Sequence, residues 1–385
     1  MKNSIFLKFG KKKFDYRKLL GEDASDITLR LKKLKKKVYN LGVGDPDFRI
    51  PNRYLSTFFS KIKKENITYT DPTGLPELKK LLCKKYPKLN LNEKNIAITQ
   101  GGKIGIFYAF LLLGGKKKEI LMPSLSFPSY FSLAKYNGST IKKYDLKPSK
   151  NFKPLAEDII KKISSKTKLI IINSPHNPTS SVMDDNEMVK LVKYLRNKEI
   201  YLLSDEIYSD LTFEKKKYYS FGQFKEIRKK LIIINGWSKN YGLTGWRIGW
   251  SYWPKIFVKH INMFCINIST STNYLSQKLV INILKNDHLI NEHREKLIIQ
   301  RNYLLEKFKK KINFNFPEGG IYFFLKIPNN FKNDIIFSSF LLKKYGIATI
   351  PGSSFGSAGK KYVRVNYSKK RKDVEKFLKI YSSLL

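Results

Sequence analysis

An α/β fold built on a mainly parallel sheet, followed by a smaller α+β domain, is what this sequence predicts. Three observations carry that expectation. Short apolar runs, several rich in isoleucine, alternate with longer helix-like segments between residues 94 and 238. The runs are continuous rather than alternating apolar and polar, as strands covered on both faces are. After about residue 285 the texture changes to a long helical pattern and a few separate strands.

The elements follow in order. The first 38 residues or so are lysine-rich and weakly patterned, an arm or a helix. The strand-like runs are "KNIAIT" (94–99), "KEILMP" (118–123), "KLIIINS" (168–174), "EIYLLSD" (199–205) and "LIIINGWS" (231–238), with helix-like segments such as 102–113 and 184–198 between them. The runs end in Thr, Pro, Ser or Asp, with Gly or Asn at or near several of the ends. Ligands of such sheets sit beyond the C-terminal strand ends. The conspicuous polar residues fall there: Gly101-Gly102-Lys103, Asn173 to Asn177, Asp205 and Ser238-Lys239. Later, "EHREKLIIQRNYLLEKFKKK" (292–311) reads as a long helix. "GGIYFFLKI" and "YVRVNY" read as strands, and Asp334 to Tyr345 as a helix between them.

Composition narrows the classes. The 385 residues are 42% hydrophobic and 14% aromatic, enough for a large core and about right for two domains. No apolar run approaches the ~20 residues that span a bilayer, and the N-terminal apolar stretch is too short for a signal peptide, so a soluble, cytoplasmic protein is expected. The two cysteines, Cys83 and Cys265, form no CxxC site. The four histidines at 176, 260, 288 and 293 show no HExxH spacing, so no metal site is expected. The formal net charge of +44 would ordinarily point to nucleic acid. The lysines, however, come in short runs along the whole chain, and Asn, Ile, Tyr and Phe, all with AT-rich codons, are abundant too. A biased genome accounts for the excess, and no nucleic-acid or membrane partner is expected.

The stretch "GWSKNYGLTGWRIGW" (236–250) sets one lysine, Lys239, among glycines and three tryptophans just after an apolar run. A lysine so placed is costly unless its charge is paired, lost or used. Asp205 ends a strand in "SDEIYSDL", with Tyr208 three residues on; alone, the acid would pass for a helix cap. Ser238 and Arg247 are phosphate-type ligands. Gly101-Gly102 offers bare N–H groups at a helix N-terminus. With neither GxxxxGK[ST] nor GxGxxG present, the phosphate is not expected to belong to ATP or NAD. A lysine, a lone carboxylate, a phosphate site and an aromatic face together suit pyridoxal 5′-phosphate (PLP).

"SKNYGLTGWRIGW", "NSPHNPT", "SDEIY" and "GVGDPDF" together resemble the class I/II aminotransferases of PLP fold type I, in particular the aspartate aminotransferase-like subgroup. The motifs occur in family order over roughly residues 40–370. The resemblance implies a seven-stranded, mainly parallel sheet sandwiched by helices. It implies a large PLP-binding domain at 45–285 and a small domain from 1–44 and 286–385, with an N-terminal arm. It makes Lys239 the residue that forms the Schiff base and then the base at the substrate's Cα, its pKa lowered from ~10.4 by burial. Asp205 would pair with the pyridine nitrogen; Tyr208 and Asn177 would bond the phenolic oxygen. Gly102, Lys103, Ser238 and Arg247 would hold the phosphate, and Phe127 would stack on the ring. Arg364 in "YVRVNY" would grip the α-carboxylate, assisted by the Gly44 N–H. Tyr69 in "YTDPTG" would reach the neighbouring subunit's phosphate, implying a homodimer with shared sites.

The activity implied is transfer of an amino group between an amino acid and a 2-oxo acid in a ping-pong cycle. Some aspartate-specific relatives use a lysine at the place of Lys103 to attract a distal carboxylate, so aspartate or glutamate is the first choice of donor. The alternatives are aromatic, alanine-like or diaminopimelate transamination, a carbon–sulfur lyase, or a scaffold turned to binding nucleic acid. Three departures from the family pattern stand out. Ser180 replaces the glycine of the usual "NPTG". Phe127 stands where Trp or Tyr is common. His176 precedes Asn177 and is expected to pack or face solvent, without a catalytic role.

Overall fold

A computed structural model of the chain describes residues 37–213, 218–285 and 288–385, together with the backbone of Lys8–Phe9 and Lys12–Lys13. Most of the N-terminal arm expected from the sequence lies outside the described residues.

The centre is a seven-stranded sheet of β1 (Ile96–Thr99), β2 (Glu119–Pro123), β3 (Thr140–Tyr144), β4 (Thr167–Asn173), β5 (Tyr201–Asp205), β6 (Leu231–Gly236) and β7 (Gly249–Tyr252). The spatial order is β1-β7-β6-β5-β4-β2-β3. Only β7 runs antiparallel to its neighbours. The continuous apolar runs have a direct cause. Ile170, Ile172, Leu202 and Ile233 pack into the core on one face, while Leu169, Ile171, Leu203, Ile232 and Ile234 pack into the core on the other. Side chains alternate across a strand, so a strand covered on both sides must be apolar at every position.

Two strands had no such signal. β3, "TIKKY", is the sheet's edge, mostly open to solvent, and its lysines blunt the unpaired rim. β7, "GWSY", is four residues long and lies inside the glycine–tryptophan stretch. Gly249 pairs with Gly236 and Thr99, and a Cβ there would stand 2.5 Å from the Gly102 nitrogen. Glycine lets β7 pass under the first turn of the helix that starts at Gly102.

Helices α1 (Gly102–Leu113), α2 (Pro128–Tyr136) and α3 (Asp185–Leu195) flank the sheet. α1 begins directly after β1 and is apolar nearly all round, as a helix packed on a sheet and covered by others is. The second part has β8 (Tyr322–Lys326), β9 (Ile350–Pro351) and β10 (Tyr362–Asn366) in antiparallel order β8-β10-β9. It carries α4 (Leu289–Phe308), α5 (Asp334–Tyr345) and α6 (Arg371–Ser382). α4 starts and ends three residues earlier than the periodicity predicts. The segment after residue 37 joins this part: Tyr39–Asn40 pairs in parallel with Ile347–Ala348, and Leu41 O accepts from Asn366 N at 2.7 Å. That pairing carries Gly42 to Gly44 alongside β10. Among the described residues no helix is long and apolar enough to cross a membrane, and no cluster of His, Cys, Asp and Glu could hold a metal.

Candidate active site

A cavity of about 410 Å³ opens at the C-terminal ends of β1, β4, β5 and β6, with β8 and β10 closing its far side. Lys239, Asp205, Tyr208 and Asn177 line it, as do Gly102, Lys103, Phe127, Ser238 and Arg247, and Gly44 and Arg364. Of the residues singled out in the sequence, Tyr69 alone stands apart, 83% exposed on the surface of this chain.

Lys239 follows β6 by three residues, on the turn that leads into β7. Its ammonium is hydrogen-bonded to the Gly44 carbonyl oxygen. No carboxylate forms an ion pair with it among the described residues, while Arg364, Arg247 and Lys103 all face it. Burial first and Arg364 second, with smaller help from Arg247 and Lys103, bring its pKa down from 10.5 to about 8, against the opposing pull of Asp45. It is a buried amine with no ion-paired carboxylate among the described residues.

Asp205 is the last residue of β5 and is 4% exposed. Burial raises its pKa to about 6; the Tyr130 hydroxyl and the Ile207 N–H, both donating to its carboxylate, pull the other way. No cation pairs with it among the described residues. A buried carboxylate in that position is suited to a ligand that brings its own positive charge. The adjacent Glu206 accepts from Ser204 and Ser220, at 2.7 Å each, and does not reach the cavity.

At the cavity's floor, Gly101 caps α1 at φ 85°, a left-handed conformation suited to glycine. A Cβ on it would sit 2.7 Å from Arg247 Nη2, so the guanidinium lies directly against this turn. Arg247 holds a left-handed φ of 51° itself and donates through Nη1 to Thr244 O at 2.8 Å. The Ser238 hydroxyl points into the same corner with no partner among the described residues. The N–H end of α1 and a guanidinium lie together, and Ser238 lines the same cavity, a set of donors that suits a phosphate. Lys103 stands at the rim, its ammonium 5.3 Å above the Phe127 ring.

On the opposite wall, Arg364 is 5% exposed. It donates to Asn177 Oδ1 at 2.8 Å and to Gly42 O at 2.6 Å, and its Nε has no partner. A buried guanidinium with one donor free and no carboxylate is incompletely satisfied without a ligand. Asn177 is held in turn by its N–H, 2.8 Å from Asn173 Oδ1.

Two cavity-side tyrosines were missed. Tyr130 on α2 donates to Asp205, and Tyr322 on β8 lines the cavity and meets Tyr208. In a chain with 23 tyrosines neither position carried a signal of its own. His176 is a packing residue: 1% exposed, bonded to Thr179 Oγ1 and Leu125 O, and driven by burial to a pKa of about 4. Ser180, where the family pattern has glycine, holds a left-handed φ of 58°, and its hydroxyl accepts the Tyr322 N–H at 3.1 Å.

Comparison with known proteins agrees with this geometry. The pattern of the family described as aminotransferase class I and II matches residues 36–380. The chain belongs to that family. Its members are PLP-dependent transaminases, and the lysine, acid and glycine turn occupy one cavity here. The chain is 29% identical over 358 residues to the "Probable aspartate/prephenate aminotransferase" of Aquifex aeolicus, covering 89% of this chain and 90% of that one. It is 31% identical to the "(5-formylfuran-3-yl)methyl phosphate transaminase" of Methanocaldococcus jannaschii, covering 92% and 94%. In structure it is similar to the aspartate aminotransferase of Thermus thermophilus solved with maleate, with TM-score 0.88 and 25% identity over 95% and 97% of the two chains.

Proposed function

We propose that this transaminase binds PLP in the 410 Å³ cavity and moves the amino group of aspartate or glutamate to a 2-oxo acid. The observation that carries the reading is the presence in one cavity of an amine brought to a pKa of about 8 at Lys239 and a buried carboxylate without a cation among the described residues at Asp205. When bound, PLP supplies an aldehyde carbon for amines and a ring that withdraws electrons from the substrate's Cα.

The residues then divide the work. Gly102, Lys103 N–H, Ser238 and Arg247 hold the phosphate. Asp205, kept ionised by Tyr130, holds the ring nitrogen's proton, and Tyr208 and Asn177 bond the phenolic oxygen. Phe127 covers one ring face. Arg364 binds the α-carboxylate with the Gly44 N–H. Lys239 Nζ takes the proton from Cα, a task for which an amine near neutrality is matched. The 2-oxo acid leaves before the second one enters. Tyr69 completes the phosphate site of a second copy, which makes the working unit a homodimer. We further propose the division of the chain into 45–285 and 1–44 with 286–385, and a cytoplasmic location.

Lys103 favours a donor with a second carboxylate: it is an exposed cation on the lining of the cavity that also holds Arg364. A second reading, aromatic or cyclic donors, is favoured by the apolar wall of Val43, Ile350 and Phe355 beside the arginine, and one relative's name includes prephenate. The purified protein, given PLP, aspartate and 2-oxoglutarate, is expected to form glutamate. Lys103→Ser is expected to lower kcat/KM for dicarboxylates by about tenfold and spare aromatic donors. Pyruvate and ammonia from cystathionine, without amino transfer, would instead make the protein a lyase.

A further inference from the structure

Tyr322 has no part in the chemistry just described, yet it stands between its two halves. It is 1% exposed, on β8. Its ring meets that of Tyr208 edge-on, with centroids 5.9 Å apart and planes at 74°, and carries the Arg364 guanidinium 4.2 Å from its centre. Its hydroxyl oxygen is 2.9 Å from that of Tyr208. A Cβ at residue 44 would fall 2.2 Å from the Tyr322 hydroxyl, so Gly44 is the residue that lets this tyrosine enter the cavity.

Two hydroxyls in contact share one proton: one donates, the other accepts. The Tyr208 hydroxyl has no other hydrogen-bond partner among the described residues. Burial keeps Tyr208 protonated, its pKa well above the usual tyrosine range. Were Tyr208 to donate to Tyr322, its only proton would be turned away from the cavity's contents. The charged groups that face the pair, Asp205, Lys239 and Arg364, hydrogen-bond to neither hydroxyl. The direction of the shared proton therefore rests on Tyr322.

We infer that Tyr322 is a positioning residue: its hydroxyl donates to Tyr208, and so aims the Tyr208 proton at an anionic ligand oxygen in the cavity. The inference rests on the proposed PLP site, in which that oxygen is the cofactor's phenolic one. It also ties the cofactor's hydrogen bonding to the strand pair that carries Arg364, because Tyr322 and Arg364 lie on paired strands.

The test is an absorbance titration of the PLP-loaded protein against pH for wild type, Tyr208→Phe, Tyr322→Phe and the double variant. A donated proton stabilises the negative oxygen, so losing it raises the pH at which the visible band changes. Tyr208→Phe is expected to raise the midpoint most. Tyr322→Phe is expected to raise it by about half a unit, and the double variant to match Tyr208→Phe alone, since the effect of Tyr322 passes entirely through Tyr208. A Tyr322→Phe midpoint equal to wild type, or a shift that adds in the double variant, overturns the inference while leaving the cofactor reading intact. A wild-type protein with no visible band that depends on Lys239 overturns the cofactor reading and this inference with it.

Discussion

The two walls of the cavity are built by different rules. The wall at the sheet ends draws its residues from strand termini: Asn173 closes β4, Asp205 closes β5, Lys239 follows β6 and Gly101 follows β1. Each is fixed by a strand buried on both faces, so its position comes with the core. The facing wall draws Arg364 from a strand interior, Tyr322 from its neighbour, and Gly44 from a segment pinned by a few backbone hydrogen bonds. The first wall holds charges that lack counterions in the protein, and the second holds a guanidinium partly satisfied by Asn177 and Gly42. The difference fits the proposed function, in which the two walls serve different ligand parts: the first would hold a permanent occupant that brings charge of its own, the second a carboxylate that comes and goes.

The largest expected effects lie on the first wall. Lys239→Ala should lower turnover by at least about four orders of magnitude, since in the proposed function the same amine would bind the aldehyde and move the Cα proton. Asp205→Ala should lower kcat by about 10³, because the charge it stabilises develops in the transition state. On the second wall, Arg364→Ala should act chiefly through KM, lowering kcat/KM by about 100-fold or more. Steady-state kinetics with the best donor checks all three. Equal losses of kcat and KM on both walls would erase the contrast.

A smaller effect concerns Lys239 alone. In the cofactor-free protein its neutral, nucleophilic fraction should rise with pH through about 8, against 10.5 for an ordinary lysine. The sign follows from burial and neighbouring cations, which penalise the charged form. Amine labelling followed by peptide mass spectrometry measures it. A midpoint near 10 would mean that the wall does not prepare the amine.

The same contrast explains what could be read in advance. Five strands announced themselves because two-faced burial demands unbroken apolar runs, and the polar residues at their ends followed. β3 did not, since an edge strand carrying a half-buried Lys142 and an exposed Lys143 satisfies no core pattern. β7 was hidden by its length of four residues and by Gly249, whose presence answers a close backbone approach and not a strand propensity. Lys239 was conspicuous because a lysine in apolar surroundings needs a reason, whereas Asp205 and Arg364, which alone would pass for a helix cap and a surface arginine, stood out only through their places in the family pattern. Tyr130 and Tyr322 were not, because a buried tyrosine serves a core as readily as a carboxylate, and only geometry separates the two uses.

The finest test falls on the seam between the walls. Ser180, in the loop after β4, accepts the N–H groups of Glu318 and Gly319 on its carbonyl and that of Tyr322 on its hydroxyl. It does so at φ 58°, where a side chain costs about 1 kcal/mol relative to glycine. Ser180→Gly relieves that cost and leaves the buried Tyr322 N–H without its acceptor, a loss of about 1–3 kcal/mol. The net should be a destabilisation of about 1 kcal/mol. Ser180→Ala keeps the backbone cost and loses the acceptor, so it should be the least stable of the three. Denaturant unfolding orders them serine, glycine, alanine if the hydroxyl ties the walls together. Glycine more stable than serine would show that backbone conformation alone governs the seam.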